Sequence, residues 1–308
     1  MLLLSMSLAI LGSTGMFGSA LVDYFHSVGL PVIEISRSSE SIYASNKHIG
    51  FDIDTQSASE LIEQLPEGCQ LINASGVIKH KINEKSMANI STAIKVNSLF
   101  PQELSLKCLE KDIKVFQIAT DCVYSGVRGS YSEADTHDPT DIYGVTKSLG
   151  EILSPDVMTL RCSMIGIEKG SSIEFLNWVI DQPPNASLNG FVNHLWNGLT
   201  TLHVAKILKG IIDRGSFKSG TYHLVPSDFI SKYELIRMAA KEFDRDDLVV
   251  QSTNGVSAVD RRLITNYERE NREHWEWAGY SEPLSISEMF SEYANWIKER
   301  RQNSGGES

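Results

Sequence analysis

Short runs of apolar residues alternate with longer segments in which apolar residues recur at every third or fourth position. The short runs have the length of buried strands and cover residues 7–11, 31–36, 49–53, 70–74, 114–119 and 157–161. The longer segments have helical periodicity and cover residues 16–28, 58–65, 88–110 and 142–153. Strands that alternate with helices in this way predict right-handed crossovers and a parallel sheet, with ligand sites at the carboxyl ends of the strands.

The alternation weakens in the second half of the chain. The pattern there predicts four helices, at residues 173–180, 202–214, 232–243 and 286–300, and two short strands, at 221–225 and 248–251. We therefore predict an α/β protein, a Rossmann-type doubly wound parallel sheet with a smaller C-terminal α/β lobe. The sheet domain would cover residues 1–165 with a return near 195–225, the lobe residues 166–194 and 226–302, and a disordered tail residues 303–308.

The composition narrows the range of partners and compartments. The 308 residues carry 28 basic and 39 acidic side chains, a net charge of −11, which disfavours nucleic acid as a partner. Four scattered cysteines without Cys-x-x-Cys spacing predict reduced thiols and a cytoplasmic protein. We expect no membrane span, since no stretch reaches roughly 20 apolar residues, and the apolar start lacks the basic leader of a signal peptide. We also expect no catalytic metal, since no histidine spacing typical of one occurs.

A glycine-rich turn, GSTGMFG, joins the first predicted strand to the first predicted helix. Gly12, Gly15 and Gly18 would permit a tight turn, the close approach of a pyrophosphate, and the packing of the helix on the sheet. The alternative is a tight turn that binds nothing. We predict a dinucleotide site whose first contacts are Gly12, Ser13, Thr14, Gly15, Met16 and Phe17.

The end of the second predicted strand indicates which dinucleotide to expect. Ser36 lies where an acidic residue usually holds the adenosine ribose, and Arg37 follows it. A small hydroxyl and a guanidinium suit a 2′-phosphate, which favours NADPH over NADH and makes the sheet domain NADP-binding. In the alternative interpretation, Glu34 binds the ribose and Arg37 is a solvated loop residue.

Small or polar residues also follow the third and fourth predicted strands. Asp52 and Ile53 could contact adenine, and Ala74, Ser75 and Gly76 would let a cofactor lie across the fourth strand. Ordinary strand-to-loop exits are the alternative explanation for both segments.

A Tyr-x-x-x-Lys spacing follows the fifth predicted strand, which Thr120 closes. Tyr143 and Lys147 would project from one face of a helix, so that the ammonium lies near the phenol. A neighbouring cation lowers the pKa of a phenol from about 10 toward the working pH and makes it a proton donor to a carbonyl. The same spacing also occurs on ordinary surface helices.

Four segments together resemble the extended short-chain dehydrogenase/reductase family, and within it the dTDP-4-dehydrorhamnose reductase group. They are GSTGMFG at the start, ATDCVYSGVRGSYSEADTHDPTDIYGVTKSLGE in the middle, LRCSMIG after the sixth strand and GTYHLV in the later half. The resemblance implies that Thr120 hydrogen-bonds the substrate carbonyl, that Tyr143 donates the proton and that Lys147 binds the nicotinamide ribose. It also implies that Asn97 belongs to the cofactor site and supports the lysine through water, and that Arg161 lines the nicotinamide end. We predict substrate contacts through Asp121, Cys122, Val123, Arg161, Trp196, Arg261 and Arg262. Simple packing of the lobe is the alternative for Trp196, and a solvated charge is the alternative for Arg261 and Arg262.

Two positions narrow the reaction that the resemblance implies. Cys122 stands where sugar-nucleotide dehydratases carry an acidic residue. Ser36 and Arg37 replace the acidic residue that binds the ribose of NAD in epimerases. We predict NADPH-dependent reduction of the 4-keto group of a nucleoside-diphosphate 6-deoxy-4-keto sugar, for deoxysugar and surface-polysaccharide biosynthesis. The alternatives are an epimerase of the same superfamily and a non-catalytic NADP-binding regulatory subunit. The expected partner is the nucleotide sugar, without nucleic acid or membrane, and the chain could form a homodimer.

Overall fold

The computed structural model describes residues 7–170 and 172–304. Fourteen strands lie in the described residues: β1 Leu8–Leu11, β2 Ile33–Ser36, β3 Lys47–Gly50, β4 Gln70–Asn73, β5 Lys114–Ala119, β6 Val157–Arg161, β7 Met164–Ile165, β8 Ser187–Phe191, β9 His194–Trp196, β10 Leu199–Thr200, β11 Gly220–His223, β12 Ile230–Ser231, β13 Val249–Thr253 and β14 Val259–Asp260. Ten α-helices lie in the same residues: α1 Met16–Ser27, α2 Ala58–Gln64, α3 Met87–Ile94, α4 Phe100–Leu109, α5 Ile142–Leu149, α6 Phe175–Ile180, α7 Thr201–Asp213, α8 Lys232–Glu242, α9 Glu268–Trp277 and α10 Ile286–Ser304.

Seven of these strands form one sheet, in the order β11-β6-β5-β4-β1-β2-β3. Every neighbouring pair in this sheet is parallel. The chain starts in the middle, winds outward to β3, and then crosses over to wind outward in the other direction. A doubly wound sheet of this kind places its ligand crevice at the carboxyl ends of the strands, where the winding direction reverses. The predicted Rossmann-type fold is confirmed.

Consecutive residues of β1 face opposite sides of the sheet and enter different cores. Leu8 and Ile10 pack with side chains of α1, α7 and α10, whereas Ala9 and Leu11 pack with side chains of α2 and α4. All four residues are at most 3% exposed. Because both faces of the sheet are covered, every position of the strand is apolar, which explains the uninterrupted apolar run in the sequence.

The helical region between β4 and β5 changes geometry in its middle. The sequence predicted a single helix over residues 88–110, but a π-helical turn, Lys95–Leu99, separates α3 from α4. π-helical turns are rare in proteins, and those that occur often lie near functional sites. This turn carries Asn97, which contacts α5.

Outside the main sheet, the described residues form three short sheets, which pair β8 with β13, β9 with β12 and β14, and β7 with β10. The sequence analysis missed most of these strands because several are only two or three residues long. It also missed α9, because only Asn271, His274 and Trp275 of that helix are buried and no apolar stripe marks it. Residues 220–223 return to the main sheet, where β11 pairs with β6.

The last helix, α10, extends to Ser304. Residues 303 and 304 are therefore helical, and the predicted tail over 303–308 is wrong for these two positions. Residues 305–308 lie outside the described part of the chain. Among the described helices, none is both long and apolar enough to cross a membrane.

Candidate active site

A continuous cleft runs along the carboxyl ends of β1, β2, β4 and β5. It consists of two neighbouring cavities of about 300 Å³ and about 340 Å³. Six residues lie on the walls of both: Gly15, Ala74, Ser75, Gly76, Lys81 and Glu168. The first cavity reaches Ser36 and Arg37, and the second reaches Tyr143 and Lys147. A larger groove, of about 730 Å³ between α1, α6 and α10, is lined by none of the predicted site residues.

The glycine-rich turn at the start of the cleft needs two of its three glycines for the chain itself. Gly12 has a φ of +83°, and a Cβ at Gly18 would lie 2.0 Å from the Gly12 carbonyl oxygen. Gly15 has a φ of −74°, and a Cβ there would meet only the Gly12 oxygen, at 3.6 Å. No described neighbour therefore requires glycine at position 15. Because Gly15 lines both cavities, a side chain there would enter the cleft, and the turn fits a dinucleotide pyrophosphate.

The other residues of this turn divide into two groups. Thr14, Met16 and Phe17 line the cleft beside Gly15. Ser13 is completely buried, and its N–H donates to the Ile35 carbonyl oxygen at 3.2 Å. The prediction of Ser13 as a cofactor contact is wrong, because the turn folds this residue back onto β2.

Glu34, the alternative ribose ligand, is bound by the protein itself. Its carboxylate accepts hydrogen bonds from Ile42 N at 2.7 Å and Asn46 Nδ2 at 2.8 Å, and the residue is 1% exposed. Ser36 and the exposed Arg37 line the cleft instead. Glu34 thus faces its own loop and is not part of the cleft wall.

The segments after β3 and β4 also lie on the cleft walls, through Asp52, Ile53 and the small residues 74–76. The strand β3 ends three residues earlier than predicted, so Asp52 belongs to the following turn, where its Oδ1 accepts from Asp54 N at 3.0 Å. The loop after β4 is held by Ser75 Oγ, which donates to Asn73 Oδ1 at 2.6 Å. Both segments thus have fixed conformations facing the cleft.

Thr120, Tyr143 and Lys147 line one cavity at the other end of the cleft. Thr120 follows β5, and its hydroxyl donates to Asp121 Oδ1 at 3.2 Å and lies within hydrogen-bonding reach of Tyr143. Tyr143 and Lys147 lie one turn apart on α5, and Lys147 Nζ donates to the Ile118 carbonyl oxygen at 2.9 Å. The structure therefore brings the three predicted catalytic side chains together.

Close packing positions α5 beside this cavity. A Cβ at Gly144 would lie 2.3 Å from the Cys122 carbonyl oxygen, and one at Gly150 would lie 1.8 Å from the Asn97 carbonyl oxygen. Asn97 is buried, its Nδ2 donates to Thr146 Oγ1 at 3.1 Å, and its Oδ1 accepts from Val77 N at 2.8 Å. Its side chain links α5 to the loop after β4 and lines neither cavity, which fits support of the neighbouring Lys147 better than direct contact with the cofactor.

Burial controls the protonation of Tyr143 and Lys147. It raises the pKa of Tyr143 above its ordinary value of 10, an effect that Cys122 increases and Thr120 opposes. It lowers the pKa of Lys147 to about 8, against the opposing effect of Glu151. Burial is the largest cause of both shifts, because it disfavours the charged form of each group, and the effect of Lys147 on the phenol stays a prediction. Tyr143 therefore keeps its proton at neutral pH.

Arg161 lies at the centre of a buried polar cluster, the Arg161 hub, formed with Tyr124, His137, Glu151 and His223. Its Nε donates to Glu151 Oε1 at 3.0 Å, and its Nη2 also contacts Glu151. Its Nη1 pairs with Tyr124 OH at 2.8 Å and His223 Nε2 at 2.6 Å, and its Nη2 pairs with His137 Nε2 at 2.9 Å. All five N–H groups have partners, and the residue is 2% exposed. The prediction of Arg161 as a substrate contact is therefore wrong.

Two further predicted substrate contacts are interior residues. Val123 is fully buried and packs with Tyr124 and Tyr131. Trp196 is 4% exposed, and its Nε1 donates to Ser163 Oγ at 2.8 Å. Both predictions are wrong, since Trp196 supports the cavity wall from behind through Ser163, which does line the cavity.

Asp121 and Cys122 line the catalytic cavity. Burial raises the pKa of both, that of Cys122 to about 12, and the charges of Arg261 and Lys232 oppose the shift at Asp121. A thiol with so high a pKa cannot replace the acidic residue of a dehydratase at neutral pH. No cluster of three or more potential metal ligands occurs among the described residues.

The two consecutive arginines diverge. Arg261 Nε donates to the Tyr124 carbonyl oxygen at 2.8 Å, and its charge acts on Asp121. Arg262 forms an ion pair with Asp260 at 2.7 Å, and its guanidinium lies over the ring of Phe229 on another surface. The prediction of Arg262 as a contact in this cleft is wrong, whereas Arg261 remains close to it.

A basic segment, Lys79–Lys81, lines the middle of the cleft and was not predicted from the sequence. Lys79 pairs with Asp141 at 2.8 Å, and Lys81 pairs with Glu168 at 3.6 Å. Because Glu168 follows β7 on the other side of the cleft, these pairs join its two walls. The run of three basic residues that follows the predicted strand 70–74 was the sequence signal that could have identified this segment.

A family model described as the RmlD substrate binding domain matches residues 6–263. The chain belongs to this family. A Streptomyces niveus protein named dTDP-4-keto-6-deoxy-D-glucose reductase is 24% identical over 282 residues, covering 87% of this chain and 89% of that protein. A probable low-salt glycan biosynthesis reductase of Haloferax volcanii is 26% identical over 236 residues, covering 72% of this chain and 77% of that protein. The predicted membership in the extended short-chain dehydrogenase/reductases, a class of oxidoreductases, is confirmed.

Solved structures of RmlD-type and related proteins have the same fold. A dTDP-4-dehydrorhamnose reductase from Clostridium acetobutylicum has a TM-score of 0.70 at 19% identity, covering 95% of this chain and 100% of that one. The Bacillus anthracis dTDP-4-dehydrorhamnose reductase in complex with NADP has a TM-score of 0.68 at 16% identity, with coverage of 95% and 98%. The UDP-glucuronic acid 4-epimerase of Bacillus cereus, with UDP-glucuronic acid and NAD, has a TM-score of 0.71 at 16% identity, with coverage of 96% and 100%.

Proposed function

We propose that this chain reduces the 4-keto group of a nucleoside-diphosphate 6-deoxy-4-keto sugar with NADPH, in deoxysugar or surface-polysaccharide biosynthesis. One observation carries the proposal: Thr120, Tyr143 and Lys147 line a cavity that continues into the glycine-rich turn. A carbonyl in that cavity would face two hydroxyls and an ammonium. The names of the two relatives, both reductases, support the same reaction class.

The residues of the cavity supply the proton and the electrostatic stabilisation. When bound, NADPH supplies the hydride that reduces the carbonyl carbon. The hydroxyls of Thr120 and Tyr143 would donate to the carbonyl oxygen and stabilise the developing alkoxide. Burial raises the pKa of Tyr143, so the phenol is protonated at neutral pH and would transfer its proton to the alkoxide oxygen, which becomes the new hydroxyl. Lys147, fixed by the Ile118 carbonyl, would hold the nicotinamide ribose.

The first cavity accounts for the choice of cofactor in this proposal. Gly12, Thr14 and Gly15 would surround the pyrophosphate, and Ser36 with Arg37 would hold a 2′-phosphate. NADH would lack a partner for Arg37, and Glu34 is too deeply engaged with its own loop to bind a free 2′-hydroxyl. We therefore propose NADPH as the preferred cofactor. On the substrate side, Asp121, Cys122 and Arg261 are the proposed contacts.

The oligomeric state and compartment are part of the same proposal. Exposed leucines on the neighbouring helices α4 and α5, among them Leu106 and Leu149, support a homodimer. The four free cysteines support a reducing compartment, the cytoplasm. Light scattering of the purified protein tests the first point, with a monomer at all concentrations as the contrary result.

Spectrophotometry with a panel of 4-keto sugar nucleotides, each with NADPH and with NADH, tests the reaction. We expect loss of nicotinamide absorbance with at least one of these substrates and faster loss with NADPH. Product formation without a net change in absorbance would indicate an epimerase instead. Tight NADPH binding without turnover of any panel member would indicate a regulatory subunit.

A further inference from the structure

Lys232 begins α8 in the smaller lobe. The first turn of that helix is fixed by a reciprocal cap, in which Ser231 Oγ accepts from Glu234 N at 3.2 Å and the Glu234 carboxylate accepts from Ser231 N at 2.7 Å. The ammonium of Lys232 lies over two aromatic rings, 5.2 Å from the centre of Phe175 and 5.6 Å from that of Trp196. The side chain therefore has a defined position.

That position adjoins the wall of the catalytic cavity, because Trp196 donates to Ser163, which lines the cavity. The charge of Lys232 interacts with Asp121 and Cys122, which directly follow Thr120 and line the catalytic cavity. Arg261 brings a second positive charge to the same neighbourhood. Two cations, Lys232 and Arg261, thus act on Asp121, which lines the cavity.

Among the described residues, Lys232 Nζ has neither a hydrogen-bond acceptor nor an ion-pair partner. The other lysines of the cleft differ in this respect, since Lys147 donates to Ile118 O, Lys79 pairs with Asp141 and Lys81 pairs with Glu168. Contact with ring faces stabilises an ammonium but satisfies none of its three N–H donors. Lys232 is half-buried, and no protein acceptor occupies its N–H donors, so they are free for an acceptor that a ligand brings.

We propose that Lys232 is a substrate-binding residue that donates a hydrogen bond to an oxygen of the nucleotide sugar. The inference rests on the proposed function for the identity of that ligand. The oxygen belongs either to the diphosphate or to the sugar, and in a 4-keto sugar nucleotide both lie within one sugar ring of the reacting carbon. Lys232 would then help to choose the substrate without taking part in proton transfer.

Calorimetric titration of the full chain with dTDP, dTDP-glucose, UDP and UDP-glucose tests the inference without turnover. Lys232→Met removes the ammonium and keeps an apolar stem against Phe175 and Trp196. We expect the dissociation constant of the tighter nucleotide pair to rise about 10- to 100-fold, as for loss of a charged hydrogen bond, and Lys232→Arg to restore part of the affinity. Arg262→Met is the matched control, because Asp260 already pairs with that guanidinium, and it should change affinity less than about twofold.

Comparison of each free diphosphate with its sugar nucleotide shows whether Lys232 binds an oxygen of the diphosphate or of the sugar. A loss for both the free diphosphate and the sugar nucleotide supports contact with the diphosphate, whereas a loss for the sugar nucleotide alone supports contact with the sugar. Unchanged affinity for all probes in Lys232→Met, or no binding of any probe by the unmodified chain, overturns the inference.

NADPH titration of Lys232→Met, with an expected change below about twofold, shows that the variant is folded and its cofactor site intact. If that variant fails to fold, Lys232→Gln takes its place in the same titrations. Normal reductase activity with unchanged nucleotide affinity in Lys232→Met would refute the inference and leave the proposed function standing. Nucleotide binding that depends on Lys232, in a protein without any reductase activity, would support the inference and refute the proposed function.

Discussion

The Arg161 hub and the catalytic cleft both border α5, but they differ in how their buried polar groups are satisfied. In the hub, all five N–H groups of Arg161 have partners within the protein. At the cleft, Tyr143 faces an open cavity, and Lys232, behind the cavity wall, has no acceptor among the described residues. A closed network holds the architecture together, whereas an open one indicates a ligand. Arg161 is not a substrate contact because its N–H groups already have partners, and Lys232 is a candidate substrate contact because its N–H groups have none.

The closed network also determines the protonation of its two histidines. His137 and His223 both accept from Arg161 through Nε2, so each carries its proton on Nδ1. Those Nδ1 atoms lie 2.7 Å from Ser148 Oγ and 2.6 Å from the Ile264 carbonyl oxygen. Burial lowers the pKa of both rings, that of His223 to about 4. The hub is therefore assembled only with neutral histidines.

Substitution in the open cleft should remove activity and leave stability intact. Tyr143→Phe removes the proton donor, and we expect turnover to fall by about two to four orders of magnitude. NADPH affinity and the midpoint of thermal unfolding should stay near those of the unmodified chain. Steady-state kinetics, fluorescence titration and calorimetry measure the three quantities, and near-normal turnover would remove Tyr143 from the mechanism.

Substitution in the closed hub should have the opposite effect. Arg161→Met leaves the Glu151 carboxylate buried without its partner, so we expect the free energy of unfolding to fall by about 3–5 kcal/mol in urea titrations. Arg128→Met breaks the ion pair of an exposed arginine with Asp135, and should lower the free energy of unfolding far less than Arg161→Met. A stable Arg161→Met protein with a raised KM for the sugar nucleotide would instead make Arg161 a substrate contact.

Acid should weaken the hub more than it weakens the cleft. The pKa of His223 is about 4 in the folded chain and about 6.5 when unfolded, so the unfolded state binds more protons between these values. Stability should therefore fall as the pH falls from 6.5 to 4. His223→Gln keeps an acceptor for Arg161 and should reduce that loss by on the order of 2 kcal/mol. Urea titrations between pH 6.5 and 4 measure this loss of stability. His26 is exposed, so His26→Gln serves as a control and should lose as much stability as the unmodified chain.

The smallest effect is expected at the solvent-exposed edge of the cleft. Arg37→Met removes the proposed partner of the 2′-phosphate, so we expect the dissociation constant of NADPH to rise about tenfold. The affinity for NADH should not change, which provides an internal control. Equal weakening of both cofactors would show that Arg37 acts on something other than the 2′-phosphate.

Local patterns in the sequence were sufficient for the sheet and for the residues that follow its strands. An uninterrupted apolar strand must be buried on both faces, and glycines between a strand and a helix permit a turn that a side chain would block. Parallel strands bring their carboxyl ends to one edge, so Thr120, Ser36 and Gly12 had to lie along one cleft. These inferences need only the periodicity of the chain and the geometry of single elements.

Only the tertiary structure decided which polar side chains are free to bind a ligand. Arg161, Trp196, Arg262 and Lys232 look alike in the sequence as polar or aromatic residues near recognisable motifs. Their partners come from distant parts of the chain: Glu151 and His223 for Arg161, Ser163 for Trp196, and two aromatic rings but no acceptor for Lys232. Burial and hydrogen bonding depend on contacts between distant segments, which periodicity and spacing do not specify.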